Sequence, residues 1–167
     1  MMHITIVCVG TIKERYLSDG IAEYGKRLRP FARVEISEIR EEHMPRKHAT
    51  GMFSPSPAER EQAIGREGRR LLERVPKNCP LLALDLHGKE YTSEELAARL
   101  SALALEGRSE IAFLIGGAFG ISEEVRKAAE ERISLSRMTF THQIARFLLM
   151  EQLYRAFKIN RGEPYHC

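Results

Sequence analysis

The stretch IAFLIGGAFGISEE, residues 111–124, places an apolar run, a glycine-rich turn and a helix start directly after one another. The five apolar residues 111–115 predict a strand that is buried on both faces, as in parallel sheets. The turn at 116–121 contains three glycines, which let the backbone bend freely and approach a ligand closely. Ser122, followed by two glutamates, predicts a capped helix. A strand that leads through a turn into a helix indicates an α/β fold.

The segments on either side continue this alternation and predict one domain, 1–167, with a mostly parallel sheet and helices on both faces. In such sheets, ligands bind beyond the carboxyl ends of the strands. Three turns qualify: those at 87–88, at 116–117 and after 136. Strands are expected at about 3–9, 34–39, 81–86, 111–115 and 133–136, and helices at about 13–28, 57–75, 93–105, from 122 and at 142–159, with Ser93 as a cap and a surface loop at 40–57.

Several function classes find no support in the sequence. No run approaches the roughly 18 apolar residues of a membrane span, and residues 1–10 are typical of a first strand and not of a signal peptide, so we expect a cytoplasmic protein. The three cysteines form no disulfide framework or CxxC pair, and the six histidines show no metal-ligand spacing. The glycine turn has neither the dinucleotide nor the P-loop spacing, so a plain strand-to-helix turn and a ligand-binding turn both stay open.

The C-terminal quarter is the most unusual part of the chain. From residue 132 onward, six Lys/Arg stand against two Glu, which fits a phosphate-rich partner or simply a solvated basic helix face. The helix at 142–159 is apolar around nearly its whole circumference, which predicts burial by a partner subunit or a central position inside one domain. The final Pro-Tyr-His, residues 164–166, is either a frayed terminus or a functional tail.

A second basic face belongs to the first predicted helix. Lys13, Arg15, Lys26, Arg27 and Arg29 lie on or beside that helix and could touch RNA phosphates. A solvated surface is the simpler interpretation of the same residues.

Taken together, Gly10, Leu84, the triplet 115–117, the run LSRMTFTHQ at 135–143, the helix EQLYRAFKI at 151–159 and the ending PYH resemble the bacterial large-subunit ribosomal RNA methyltransferase H family, of the SPOUT class. The similarity covers essentially the whole chain. It implies a minimal SPOUT domain with a C-terminal trefoil knot, and a homodimer. It also implies methyl transfer from S-adenosylmethionine to N3 of a pseudouridine in 23S ribosomal RNA on assembled ribosomes. The cofactor residues would be Leu84, Gly116, Leu135, Ser136, Arg137, Met138, Thr139 and Phe140.

The residue types and the family's C-terminal motif suggest roles in catalysis. The acceptor nitrogen carries a proton, so a base with a pKa near neutral is wanted. His166 is the first candidate and His142 the second. Arg146 could stabilise negative charge on the ring, and Tyr165 could stack on the base or hydrogen-bond to it.

Two other interpretations remain open from the sequence. One is a non-catalytic ribosome- or RNA-binding protein with a vestigial cofactor pocket, and the other is a nucleotide-binding enzyme on an ordinary doubly wound sheet. The chain also departs from its relatives in two places. Cys167 follows His166 where a basic or polar residue is usual, and the loop at 40–57 is longer than typical.

Overall fold

A computed structural model describes residues 1–44 and 55–165. Strands and helices alternate along the chain, as the apolar pattern predicts. The central part of the expected loop at 40–57 lies outside the described residues. The elements are β1 (Met2–Val9), α1 (Arg15–Leu28), β2 (Ala32–Ile39), α2 (Pro57–Arg74), β3 (Leu81–Glu90), α3 (Ser93–Leu105), β4 (Glu110–Ile115), α4 (Glu123–Ala128), β5 (Glu131–Ser134) and α5 (His142–Asn160).

The five strands form one parallel sheet in the order β2-β1-β4-β3-β5. Side chains of β1 alternate between its faces, so that Ile4 and Ile6 pack with α1, α3 and α5, whereas Val7 and Val9 pack with α2 and α4. The expected α/β architecture, with helices on both faces, is therefore confirmed. Because all strands are parallel, the turns that follow β1, β3, β4 and β5 gather at one edge of the sheet.

Local chemistry moves three element boundaries from their expected positions. Thr92, and not Ser93, caps α3, because Thr92 has Glu95 three residues later and the two complete a capping box. Strand β3 continues past residue 86 to Glu90 through a register shift, so the turn expected at 87–88 is wrong. Gly88 permits this, since a Cβ there would lie 2.6 Å from the Arg132 carbonyl carbon. Strand β5 ends at Ser134, so residues 135–136 belong to the following loop.

Helix α5 packs against α1 and α3 on one face of the sheet. Leu149, Met150, Leu153 and Ala156 are buried there, so a central position accounts for much of its apolar surface. Phe147 packs on Gly20 of α1, where an added Cβ would come within 2.6 Å of the ring. The described residues contain no helix long and apolar enough to cross a membrane.

Candidate functional site

A recess opens at the carboxyl edge of the sheet, where the register shift of β3 meets the turns that follow β4 and β5. Its free volume is about 160 Å³, and it is open to solvent on one side. Residues 84–86 of β3 and the turns after β4 and β5 each contribute a wall, and the first residues of α5 close it. The carboxyl-edge recess is lined by Leu84, Asp85, Leu86, Ile115, Gly116, Gly117, Ala118, Gly120, Ile133, Ser134, Leu135, Ser136, Met138, Thr139, Phe140, His142 and Ala145.

The glycine turn is held in a tight arc that a larger residue at position 116 would disrupt. A Cβ on Gly116 would lie 2.5 Å from the Gly120 carbonyl oxygen and 2.8 Å from Ile121 Cγ2. Gly120 has φ +89°, a conformation that L side chains rarely adopt. The amide of Gly120 donates to the carbonyl of Gly117 at 3.1 Å. The turn therefore presents backbone, and not side chains, to the recess.

The loop after β5 is organised by its own serines. The Ser134 hydroxyl donates to the Ser136 carbonyl at 2.9 Å, and the Ser136 hydroxyl accepts from the Met138 amide at 3.0 Å. Thr141 then caps α5 by accepting from the Ile144 amide. These local bonds fix the backbone of residues 134–141 without using a partner element, so the loop is preorganised as one wall of the recess.

Asp85 connects the elements beside the recess through partly buried hydrogen bonds and ion pairs. Its side chain is 4% exposed and accepts from the His87 amide and from the guanidinium groups of Arg126 and Arg132. Burial raises the pKa of this carboxyl, but the His87 amide and the two arginines outweigh burial and bring the pKa below its ordinary value. Asp85 thus stays charged at neutral pH and joins β3 to α4 and β5 beside the recess.

His142 lies in the first turn of α5 and faces the recess. Its Nε2 and the Glu41 Oε2 both lie within 4 Å of the point where a Gly10 Cβ would be. Burial lowers the pKa of His142 from its ordinary 6.5, and Arg146 and Lys13 lower it further, while the charge of Glu41 partly opposes them. At neutral pH the imidazole is therefore uncharged and can accept a proton.

Arg146 lies one turn further along α5, but it is buried beside the recess and does not line it. Its side chain is 1% exposed. The guanidinium donates to Glu38 at 2.5 Å and to the Gly10 carbonyl at 2.9 Å, and its Nε has no partner among the described residues. In this position Arg146 holds the end of β2 and the turn after β1 in place.

Tyr165 packs along the middle of α5, away from the recess. Its hydroxyl donates to Glu151, its carbonyl accepts from Arg155, and the Arg155 guanidinium lies 4.3 Å from its ring centroid. Glu151 is nine residues beyond His142, about 13 Å along the helix at ~1.5 Å per residue. His166 and Cys167 lie outside the described residues.

Most of the residues expected to hold a cofactor come together in the recess, with one exception. Arg137 is not in the lining; its side chain is 92% exposed and lies 4.0 Å from Glu90. The sequence analysis did not single out Asp85, although an acidic residue near the carboxyl end of an apolar strand often indicates a functional position. It also overlooked Ser134, whose role depends on a turn that no short pattern specifies. The other expected cofactor residues, Leu84, Gly116, Leu135, Ser136, Met138, Thr139 and Phe140, all line the recess.

Known proteins resemble this chain over nearly its full length. Residues 2–166 match the family described as "Predicted SPOUT methyltransferase". Proteins named ribosomal RNA large subunit methyltransferase H from Carboxydothermus hydrogenoformans and Moorella thermoacetica are 49% and 51% identical, over 99% of each chain. A putative protein of the same name from Methanoregula boonei is 50% identical, over 99% of each chain.

A solved structure supports the fold independently. The structure of a probable methylase family protein from Haemophilus influenzae Rd KW20 superposes with a TM-score of 0.51 at 11% identity, over 96% of this chain and 68% of the other. At that identity the likeness concerns the fold alone. The match over residues 2–166 and the full-length relatives near 50% identity show that this chain belongs to the SPOUT methyltransferase family and groups within it with the ribosomal RNA large subunit methyltransferase H proteins.

Proposed function

We propose that the protein is a cytoplasmic, S-adenosylmethionine-dependent methyltransferase that methylates N3 of a pseudouridine in 23S ribosomal RNA, with assembled ribosomes as substrate. The observation that carries the proposal is the convergence of three separate segments into one recess at the carboxyl edge of the sheet: the register shift of β3 and the turns after β4 and β5. The names of the full-length relatives supply the substrate class. Pseudouridine and its N3 atom come from the family resemblance of the C-terminal third.

The carboxyl-edge recess has the chemistry that S-adenosylmethionine requires. When bound, this cofactor supplies an electrophilic methyl group on a sulfonium. Leu84, Ile115 and Leu135 form apolar walls on which an adenine can stack, and the serine-fixed backbone of 134–138 can read the edge of the adenine. Because Gly116 has no side chain, its backbone can lie against the cofactor without a steric clash. A dry, apolar wall also favours loss of the sulfonium charge as the methyl group departs.

The chain must also remove the proton from the acceptor nitrogen. His142 faces the recess with an uncharged imidazole, so it can take that proton as the new N–C bond forms. His166 remains the first candidate by family motif. The phenol of Tyr165 has a pKa raised to about 12, by burial and by a hydrogen bond with Tyr24, so it stays protonated. Where a second copy brings this residue to the recess, its hydroxyl can donate to the nucleobase in place of Glu151.

The proposed assembly is a homodimer. Within one chain, Tyr165 lies on the middle of α5, about 13 Å along the helix from the recess residue His142. A second copy can bring its Tyr165 to this recess, which accounts for a residue of the family motif that does not line the recess of its own chain. In such a dimer, Arg146 acts by holding Gly10 and Glu38 behind the recess.

We further propose that the chain is threaded as a trefoil knot. After β5 at the sheet edge, the loop 135–140 lies against the turns of β3 and β4, and α5 then packs back on α1 and α3. This return path supports a threaded C-terminus, which general rules of chain connection disfavour.

Mass spectrometry of 23S ribosomal RNA tests the reaction. Ribosomes from a strain that lacks the gene should be missing one methyl group, and purified protein with S-adenosylmethionine should restore it. A variant that lacks residues 165–167 should bind the cofactor normally but fail to restore the methyl group. Unchanged turnover by that variant would exclude a catalytic tail. Absence of cofactor binding by the intact protein would favour a non-catalytic RNA-binding role.

A further inference from the structure

A basic groove lies at the opposite edge of the sheet from the recess. Lys26 and Arg29, from the end of α1, and Arg33, from β2, surround a floor of small and apolar residues. We call these three cations and the floor between them the α1–β2 groove. The floor is formed by Met1, Ala22, Gly25, Ala32 and Val34.

Within the part of the chain that the structure describes, two cations of the groove, Lys26 and Arg29, lack the acidic partners that the arginines of α1 have. Arg15 pairs with Asp19 and Arg27 with Glu23, one turn away in each case. Lys26 and Arg29 have no acidic partner within ion-pair distance among residues 1–44 and 55–165, and both are exposed. Their charges are therefore available to an anion from solution.

The third cation, Arg33, is partly neutralised. It contacts Glu35 at 2.7 Å, but the two side chains are 65% and 59% exposed, so water screens the pair and a phosphate can compete for the guanidinium. Arg161 adds a further positive charge beside the groove, where it donates to the Pro30 carbonyl at 3.1 Å and lies over the Phe31 ring.

One local effect opposes an anion here. The carboxyl end of α1 carries a partial negative charge equivalent to about half an elementary charge. Three full positive charges in the groove exceed this, even after Glu35 offsets one of them. The net local potential is therefore positive.

We infer that the α1–β2 groove binds the phosphate backbone of the ribosomal RNA substrate. This rests on the proposed function. The groove offers separated cations over a shallow apolar floor, which suits a chain of phosphodiesters better than a single buried nucleotide. It lies at the amino ends of β1 and β2, about 26 Å from the recess edge at ~3.3 Å per strand residue over the eight residues of β1. A small cofactor cannot span that distance, whereas folded RNA can.

Salt-dependent RNA binding tests the inference. The triple variant Lys26→Gln, Arg29→Gln, Arg33→Gln should bind a 23S ribosomal RNA fragment at least about tenfold more weakly near 0.15 M salt. Its plot of log affinity against log salt should be shallower by about two, because each lost phosphate contact removes ~0.7–0.9 from the slope. The affinity for S-adenosylmethionine should not change.

The matched control removes the same charge elsewhere. Arg69→Gln, Arg74→Gln, Lys77→Gln changes three exposed residues on or just after α2 and should leave the RNA slope near that of the unmodified protein. An equal loss in both triple variants, or none in the groove variant, overturns the inference.

A gain of binding provides a test that misfolding cannot imitate. Glu35→Gln releases Arg33 from its ion pair, so RNA affinity should rise about two- to threefold at low salt. Vesicles of phosphatidylcholine and phosphatidylglycerol in equal parts serve as a competing anionic surface. Groove-dependent binding to these vesicles that is tighter than binding to RNA would contradict the assignment.

The two proposals fail in different ways. If intact protein adds no methyl group to ribosomes, the proposed function fails, whatever the groove binds. If it does methylate and the groove variant binds and turns over RNA normally, only the inference about the groove fails.

Discussion

Replacing Gly116 by alanine tests the glycine turn as a wall of the cofactor site. The new methyl group would lie 2.5 Å from the Gly120 carbonyl oxygen and 2.8 Å from both the Gly120 carbonyl carbon and Ile121 Cγ2. Two of the three atoms are backbone, so no side-chain rotation relieves the clash and the turn must shift by the better part of an ångström. Overpacking of this kind costs about 1–3 kcal/mol of unfolding free energy. A shift of that size in a wall that positions a reactant slows the reaction by up to about 100-fold.

Calorimetric titration with S-adenosylmethionine and thermal unfolding measure the two effects together. We expect Gly116→Ala to raise the cofactor Kd at least about tenfold and to lower Tm by ~2–4 °C for each kcal/mol lost. Gly65→Ala is the control, because Gly65 lies inside α2 with no atom within 4 Å of the added Cβ. That variant should gain ~0.5–1 kcal/mol and bind the cofactor normally. If Gly116→Ala binds the cofactor as tightly as the unmodified protein and melts at the same temperature, the turn is not part of the site.

Three further predictions concern the side chains around the recess. Asp85→Asn should lower the free energy of unfolding by about 1–3 kcal/mol at neutral pH, because Arg126 and Arg132 lose their buried carboxylate while staying partly solvated. Since the folded-state pKa of Asp85 lies below its ordinary value, urea unfolding should show this difference above pH 4 and lose it as the pH falls through that pKa. A difference that stays constant with pH would contradict the ion pairs of Asp85. The pKa of His142, measured by NMR, should lie below 6.5, so its contribution to stability is present above that pH and is lost as the pH falls through the folded-state pKa. Glu41→Gln should lower this pKa further, because the Glu41 charge raises it. A rise in the pKa would refute the placement of Glu41 beside His142. Arg146→Met should lower the free energy of unfolding in urea by about 2–4 kcal/mol, because the Glu38 carboxylate and the Gly10 carbonyl lose their donor. Arg146→Lys should recover part of that loss. Equal stability of the unmodified protein and both variants would argue against these buried hydrogen bonds.

Much of the fold was readable because its signals are local or strongly periodic. The apolar run 111–115 lies in a buried parallel strand, its neighbour at 81–86 is buried except at Leu84 and Leu86, and Ser122 caps α4 through the Val125 amide. The parallel order of the strands alone brings residues 84–86 of β3 and the turns after β4 and β5 to one edge. The position of the recess therefore followed from topology and needed no knowledge of side-chain contacts.

What the sequence could not provide depends on contacts between distant segments. Thr92 and Ser93 are both competent caps, and only the glutamate spacing selects Thr92. The extension of β3 to Glu90 depends on Gly88 passing close to the backbone of Arg132, 44 positions later in the chain. The burial of Arg146 depends on Glu38, a partner 108 residues away. No local pattern indicates either pairing.

The position of Tyr165 is the largest departure from what its residue type alone indicates. Tyr165 belongs to a motif with catalytic residue types, yet its hydroxyl and ring contact Glu151, Tyr154 and Arg155 on α5. A sequence of one chain does not say whether a tail serves its own site or that of a second copy. The distance between Tyr165 and the recess is what raises that question.

The segments near residues 84, 116 and 138 should together form a single slot for a sulfonium nucleoside. A crystal structure with S-adenosylhomocysteine tests it most directly. The account predicts the adenine between Leu84, the Gly116 backbone and the loop 135–140, with its edge bonded to main-chain atoms of that loop. A ligand bound elsewhere on the molecule, or no binding at millimolar concentration, would contradict it.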